Sequence, residues 1–374
     1  MSFNPNEMPK LGFGLMRLPK QDETIDIAHV CRMVDAYMAA GLNYFDTAYV
    51  YHGGKSEVAA GEALVKRYPR DSFYLATKLP AWEMHSADDR DRIFKEQLAR
   101  AGVDYYDFYL LHSIEEGNIE TYERYDCFNW GIQKKAVGKI RHFGFSVHGS
   151  PELLERVLDE HPETEFVQIQ LNYADWENPV VQSGRLYDIL HQRDIPMIIM
   201  EPVKGGTLAS LRPDLEEKYK ALRPDSSIAS WAFRFVASLP GVMTILSGMS
   251  SEEQMADNLQ TFANFEPLTE QERATVDEVR RIMLDVPQIG CTACRYCTDG
   301  CPMGISIPDV FRSVNTMKLY NETFRPKGFY NGLVNAGKTA RASECIACGQ
   351  CEGVCPQHLP IISLLQEASG LLDN

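Results

Sequence analysis

The stretch I-A-H-V-C-R-M-V-D-A-Y-M-A-A-G-L-N-Y-F-D (27–46) contains one complete helix–strand step. Its apolar residues Ile27, Val30, Cys31, Val34 and Met38 recur at steps of three and four, the spacing of one helix face. Gly41 follows the last of them and stops the helix. Residues 43–46 then form a short β-rich run ending in Asp46. Cys31 belongs to the stripe and is expected in the core.

The same alternation continues on both sides. Further β-rich runs occupy 73–78, 107–112, 141–147, 166–172, 196–202 and 242–247, with a weaker eighth at 261–265. Eight strand–helix units within residues 1–285 predict an α/β fold of the (β/α)8 TIM-barrel type. An open doubly wound sheet is the competitor, but no G-x-G-x-x-G turn follows the first strand. The early G-F-G at 12–14 reads as a hairpin ahead of the barrel.

Barrel enzymes carry their chemistry at the C-terminal ends of strands. Those ends give Asp46, Lys78 and His112 in turn, with Tyr51 in the loop after Asp46. Each has a plain alternative: a helix cap, a lysine reaching the rim, a hydrogen-bonded core histidine, a surface aromatic. Together, an acid, an amine, an imidazole and a phenol suit reduction of a carbonyl. The developing alkoxide needs a proton, and a phenol of pKa ~10 is a slow acid unless a cation lowers it. Lys78 is expected to do so, with Asp46 holding it charged and His112 orienting the carbonyl oxygen.

Eight of the ten cysteines fall near the C-terminus in two copies of C-x2-C-x2-C-x3-C-P. They are Cys291, Cys294, Cys297 and Cys301, then Cys345, Cys348, Cys351 and Cys355. This is the spacing of two-cluster ferredoxins, in which the fourth cysteine ligates the other cluster. One [4Fe-4S] cluster is therefore expected on Cys291, Cys294, Cys297 and Cys355, the other on Cys345, Cys348, Cys351 and Cys301. Two zinc sites compete, but zinc knuckles pair across a long spacer instead of stepping evenly. Between the arrays, Val310, Phe311, Val314 and Met317 predict a helix from Pro308. Residues 286–374 thus form a second, mainly helical domain.

The chain of 374 residues is 44% hydrophobic and carries a net charge of −15, against a nucleic-acid partner. No apolar run reaches the ~18 residues of a membrane span. The opening MSFNPNEMPK lacks a signal-peptide layout, so a cytoplasmic location is expected, where clustered cysteines serve as metal ligands.

N-Y-F-D-T-A-Y-V-Y (43–51), A-T-K (76–78), D-F-Y-L-L-H (107–112) and G-K-I-R-H-F-G-F-S (138–146) resemble the aldo/keto reductase family. The likeness continues through Q-I-Q-L-N-Y (168–173) and S-G-M-S-S-E-E-Q-M-A-D-N (247–258). It implies a tetrad of Asp46, Tyr51, Lys78 and His112, and NADP(H) or NAD(H) as cofactor. It implies nicotinamide contacts at Ser146 and Gln168, and a phosphate or adenosine cradle at Gly248, Met249, Ser250, Gln254 and Asn258. The whole resembles the branch of that family fused to a helical, ferredoxin-like 4Fe-4S dicluster domain. Two departures stand out. Val147 replaces the asparagine usual after the serine, and Gly248 and Gln254 stand where a basic residue commonly grips a 2′-phosphate.

A cluster passes single electrons while nicotinamide exchanges a hydride, so a flavin is a candidate converter between them. The leading function is reduction of a small-molecule carbonyl or related substrate, with electrons from a ferredoxin- or flavodoxin-like carrier. The alternative is an electron-transfer or redox-sensing subunit whose barrel binds nucleotide without fast turnover. Loop aromatics Trp82, Tyr125, Phe128, Trp130 and Trp176 either line a substrate pocket or pack the domain; Cys127 among them has no assigned role.

Overall fold

The computed structural model describes residues 4–374 except 23, 179–180, 264, 292–294, 321–322 and 356–357. Eight parallel strands close into a barrel: β1 (Leu11–Gly14), β2 (Tyr44–Asp46), β3 (Tyr74–Pro80), β4 (Tyr106–Ile114), β5 (Ile140–Val147), β6 (Val167–Gln170), β7 (Met197–Met200) and β8 (Val242–Ser247). Each pairs with its sequence neighbours, and β1 closes the ring between β8 and β2. Seven of the expected runs become strands.

The eighth does not. Residues 261–263 end the helix Glu252–Ala263, where Thr261 Oγ1 donates to the carbonyl of Asp257 one turn back. The missing strand is the G-F-G segment, expected to be a hairpin. A Cβ on Gly12 would lie 2.8 Å from Thr244 Cγ2 and 2.9 Å from Leu246 Cδ2. Glycine is required there by close packing, and a strand with glycine at alternate positions shows no apolar run. The actual hairpin, Lys20–Gln21 with Thr24–Ile25, comes later.

The helix Ile27–Ala39 is capped by Asp26, whose Oδ1 accepts from the His29 amide at 2.9 Å. It buries Val30, Met33, Val34 and Tyr37. That face is rotated from the expected stripe, so Cys31 is only partly buried.

Inside the barrel, Tyr44, Ala76, Phe108, Leu110, Phe166 and Ile198 form a packed layer. Side chains two positions apart on a strand share a face. The positions one step further on are therefore Asp46, Lys78, His112, Gln168 and Met200, and the fold lifts them to the C-terminal rim.

Two compact units divide the chain: Met1–Gly205 with Ala229–Arg273, and Gly206–Ile228 with Ala274–Asn374. The barrel lies in the first. The second has its own core, with Ile305, Ile307, Val310, Phe311, Val314, Tyr330, Ile361 and Leu365 buried around Cys297 and Cys351. The expected helix is present as Ile307–Tyr320 and buries Val310, Phe311 and Val314. No helix among the described residues is long and apolar enough to cross a membrane.

Candidate active site and cysteine sites

Lys78 is wholly buried, with Nζ 2.5 Å from Asp46 Oδ1 and 2.7 Å from the Thr47 carbonyl. Gln97 fixes its backbone, donating from Nε2 to the Lys78 carbonyl at 2.9 Å. Tyr51 lies over this pair, its ring centroid 5.0 Å from Nζ. His112 meets Tyr51 edge to face at 5.8 Å. The chain turns sharply after Tyr51, through left-handed His52, Gly53 and Gly54, into the helix Lys55–Ala60. Arg100 braces that turn by donating to the Tyr49 carbonyl at 3.0 Å and pairing with the buried Glu57 at 3.2 Å. The four expected residues are thus brought together.

Burial opposes the Lys78 charge, but Asp46 and Tyr51 outweigh it and hold the ammonium above its ordinary value. Burial lifts the Asp46 carboxyl, with Lys78 pulling it back. Burial also lifts Tyr51 above the ordinary phenol value, and Lys78 only partly offsets this. The expectation of a lowered tyrosine is therefore reversed in the protein alone, because desolvation outweighs the nearby cation. Burial, then Lys78 and His148, push His112 well below its usual value, so it is neutral at physiological pH. Its Nδ1 is buried without a hydrogen-bond partner.

Of the expected nucleotide contacts, Gln168 Nε2 reaches Met200 Sδ at 3.4 Å, while Gln168 Oε1 is buried with no partner. An orphaned buried acceptor at the rim fits a ligand bearing amide donors, such as a carboxamide. Ser146 Oγ accepts from the Ser113 amide at 2.7 Å. Gln254 Oε1 accepts from the Ser250 amide at 2.8 Å, and Asn258 Nδ2 donates to Ser247 Oγ at 2.9 Å. These two side chains shape the 247–250 loop. Met249 is fully buried, so the loop presents Gly248 and Ser250, both exposed, to a ligand.

Sequence reasoning missed Thr47, whose carbonyl completes the lysine's environment, and Met200, which has no polar signature. Among the loop aromatics, Trp82 is half exposed with its ring 5.2 Å from His112, whereas Phe128 and Trp130 are buried packing. Cys127 is buried beside Met84.

In the second unit, Cys301, Cys345, Cys348 and Cys351 line one cavity with Met303, Ile305, Ile307, Ile346, Ile362 and Leu365. The fourth cysteine of the first array therefore meets the first three of the second. The Ile305 amide donates to Cys301 Sγ at 3.4 Å, a contact that suits a thiolate. The donor set and apolar walls fit an iron–sulfur cluster. No three His, Cys, Asp or Glu among the described residues close around a single ion. Cys297 is buried, Cys291 and Cys355 partly so, and all three pack with the same core. Cys294, expected with them, lies outside the described residues.

The aldo/keto reductase family profile matches residues 10–281, most of the chain. The chain belongs to the aldo/keto reductase family. A 4Fe-4S dicluster domain follows at 290–359, so this aldo/keto reductase is an oxidoreductase with a fused iron–sulfur domain. It is 25% identical to the oxidoreductase YqkF of Bacillus subtilis over 71% of this chain and 90% of that one. It is 27% identical to L-galactose dehydrogenase of Arabidopsis thaliana over 67% and 82%. A solved aldo-keto reductase from Bacillus halodurans, in holo form, superposes with a TM-score of 0.58 at 25% identity, covering 72% and 91%. One from Klebsiella pneumoniae in complex with NADP and acetate gives 0.59 at 23%, covering 73% and 92%, a likeness of fold.

Proposed function

We propose that this aldo/keto reductase reduces the carbonyl of a small molecule, with Tyr51 as general acid. The observation that carries the reading is the buried Asp46–Lys78 pair lying beneath Tyr51 and beside His112. Tyr51 donates its hydroxyl proton to the carbonyl oxygen as negative charge develops there. Lys78, kept charged by Asp46, stabilises the phenolate that results. Neutral His112 donates a ring N–H to the same oxygen and orients it. Trp82, against His112, closes one side of the substrate mouth.

A nicotinamide, when bound, supplies hydride at this rim. Ser146 and Gln168 would hold its carboxamide, and Gly248, Met249 and Ser250, shaped by Gln254 and Asn258, would hold its phosphates or adenosine. The Klebsiella relative's complex with NADP supports NADP(H), while the missing basic residue leaves NAD(H) open. With the domain boundary at 285/286, two [4Fe-4S] clusters would relay single electrons from a ferredoxin- or flavodoxin-like carrier, and a flavin would match the two electron counts. Cys301, Cys345, Cys348 and Cys351 would ligate one cluster; Cys291, Cys294, Cys297 and Cys355 the other.

Replacing Tyr51 with Phe tests the reading. Turnover of a carbonyl panel, with reduced nicotinamide or reduced mediators, should fall ~10²-fold or more at constant iron content. Undiminished turnover would remove Tyr51 from the mechanism. Release of bound cofactors from protein purified without oxygen decides between nicotinamide alone and nicotinamide with flavin.

A further inference from the structure

The turn after Tyr51 is left-handed at three successive residues, His52, Gly53 and Gly54, with φ of 53°, 63° and 85°. Such a backbone persists only where its surroundings fix it. Here the fixing group is one guanidinium. Arg100, on the helix Asp89–Ala101, donates from Nη1 to the Tyr49 carbonyl at 3.0 Å and to Glu57 Oε2 at 3.2 Å. A Cβ on Gly54 would lie 2.9 Å from that same nitrogen, so the bare glycine lets it in. The guanidinium carbon also lies over the Tyr49 ring, 4.1 Å from its centroid.

Glu57 carries this brace across to the lysine. Its side chain is wholly buried, and Oε1 accepts from Thr77 Oγ1 at 2.7 Å. Thr77 directly precedes Lys78 on β3. Gln97 Nε2 donates to Thr77 Oγ1 at 3.0 Å and to the Lys78 carbonyl at 2.9 Å. The Tyr109 hydroxyl donates to Gln97 Oε1 at 2.7 Å, which fixes that amide's orientation. Beside Glu57, Ser56 donates to the Leu15 carbonyl at 2.9 Å and so accepts from Thr47 Oγ1 at 2.7 Å. Thr47 is the residue whose carbonyl receives Lys78 Nζ. The first turn of the helix Lys55–Ala60 is thereby tied to both Thr47 and Thr77. Burial lifts the Glu57 carboxyl, while Thr77 and Arg100 pull it back.

We propose that Glu57 and Arg100 are positioning residues that hold Tyr51 against Lys78 during proton transfer; this rests on the carbonyl-reduction reading above. A buried pair adds little stability over apolar packing, but it enforces one geometry. Both partners of the Glu57 carboxyl are donors: the guanidinium can only donate, and Thr77 already accepts from Gln97. An amide at position 57 therefore sets its N–H2 against one of them, and the Tyr51 turn loosens. The test uses full-length, cluster-loaded protein and the best substrate of the carbonyl panel. In Glu57→Gln and in Arg100→Met, kcat should fall about tenfold or more while KM changes little. Arg100→Lys should recover part of the loss. Should Glu57→Gln fail to fold, the partly exposed Arg100 still gives the answer. Added to Tyr51→Phe, Arg100→Met should cost nothing further, because it acts through Tyr51. A lower denaturation midpoint with unchanged kcat per folded chain overturns the proposal, leaving the pair a packing feature. An equal further loss on top of Tyr51→Phe also overturns it. Undiminished turnover in Tyr51→Phe itself is a different result: it removes the reduction reading, and this inference with it.

Discussion

The barrel rim and the cysteine-bearing unit hold their reactive groups by different means. At the rim, strand register sets each side chain, and the protein itself satisfies the lysine: Asp46 and Thr47 accept from Nζ, and Gln97 fixes its backbone. Around Cys345, Cys348 and Cys351 the chain runs through short loops with left-handed Ala347 and Gly349, and Cys348 is exposed. Among the described contacts of that cavity, the Ile305 amide donates to Cys301 Sγ and the Glu352 amide to Cys351. The comparison teaches that the lysine pair at the rim is completed by folding, whereas the cysteine cavity is completed by what it binds.

Removing a cluster should therefore have the largest effect. In Cys345→Ser/Cys348→Ser, about half the iron should be lost, since one of two four-iron clusters goes. Hydrogen exchange should quicken across 286–374 while the barrel strands keep their protection. Unchanged protection in 286–374 would show that its apolar core suffices and would break the comparison.

Next in size is Asp46→Ala, which leaves a buried ammonium without its counter-ion. Removing one partner of such a pair costs ~3–5 kcal/mol, measurable by denaturant titration of the barrel signal at constant iron content. A loss below ~1 kcal/mol would mean that the rim is not held by this pair.

The smallest expected effect is of pH. Tyr51 is raised above 10.0 and so stays protonated through the neutral range; its acid function is present below that pKa and is lost only as pH climbs past it. His112, depressed well below 6.5, stays neutral above mildly acidic pH. The rate of the chemical step should be flat across the neutral range and fall only at alkaline pH beyond the ordinary phenol value. A break near neutral pH would show that ligand binding resets one of these groups.

Much of the rim was legible in advance because period-two burial and strand-end chemistry are both local signals. Asp46, Lys78 and His112 follow apolar runs whose inward positions can be counted. Cysteine spacing was equally local, and Cys301 lines one cavity with Cys345, Cys348 and Cys351 of the second array. What escaped had no such signature. Gly12 and Gly14 gave β1 no apolar run, Met200 looks like any core residue, and the Thr47 contact is made by backbone. Lys78 and burial act on Tyr51 in opposite directions, and sequence gives no measure of how deep the ring lies.

By itself, then, the sequence determined the barrel class, the four polar residues that meet at its rim and the two cysteine arrays, because each depends on spacing along one stretch of chain. Only the tertiary structure decided which segment closes the ring and which way Tyr51 shifts. It also decided that Glu57 meets both Thr77 and Arg100. Those outcomes depend on segments far apart in sequence meeting at one place, a relation that local periodicity does not encode.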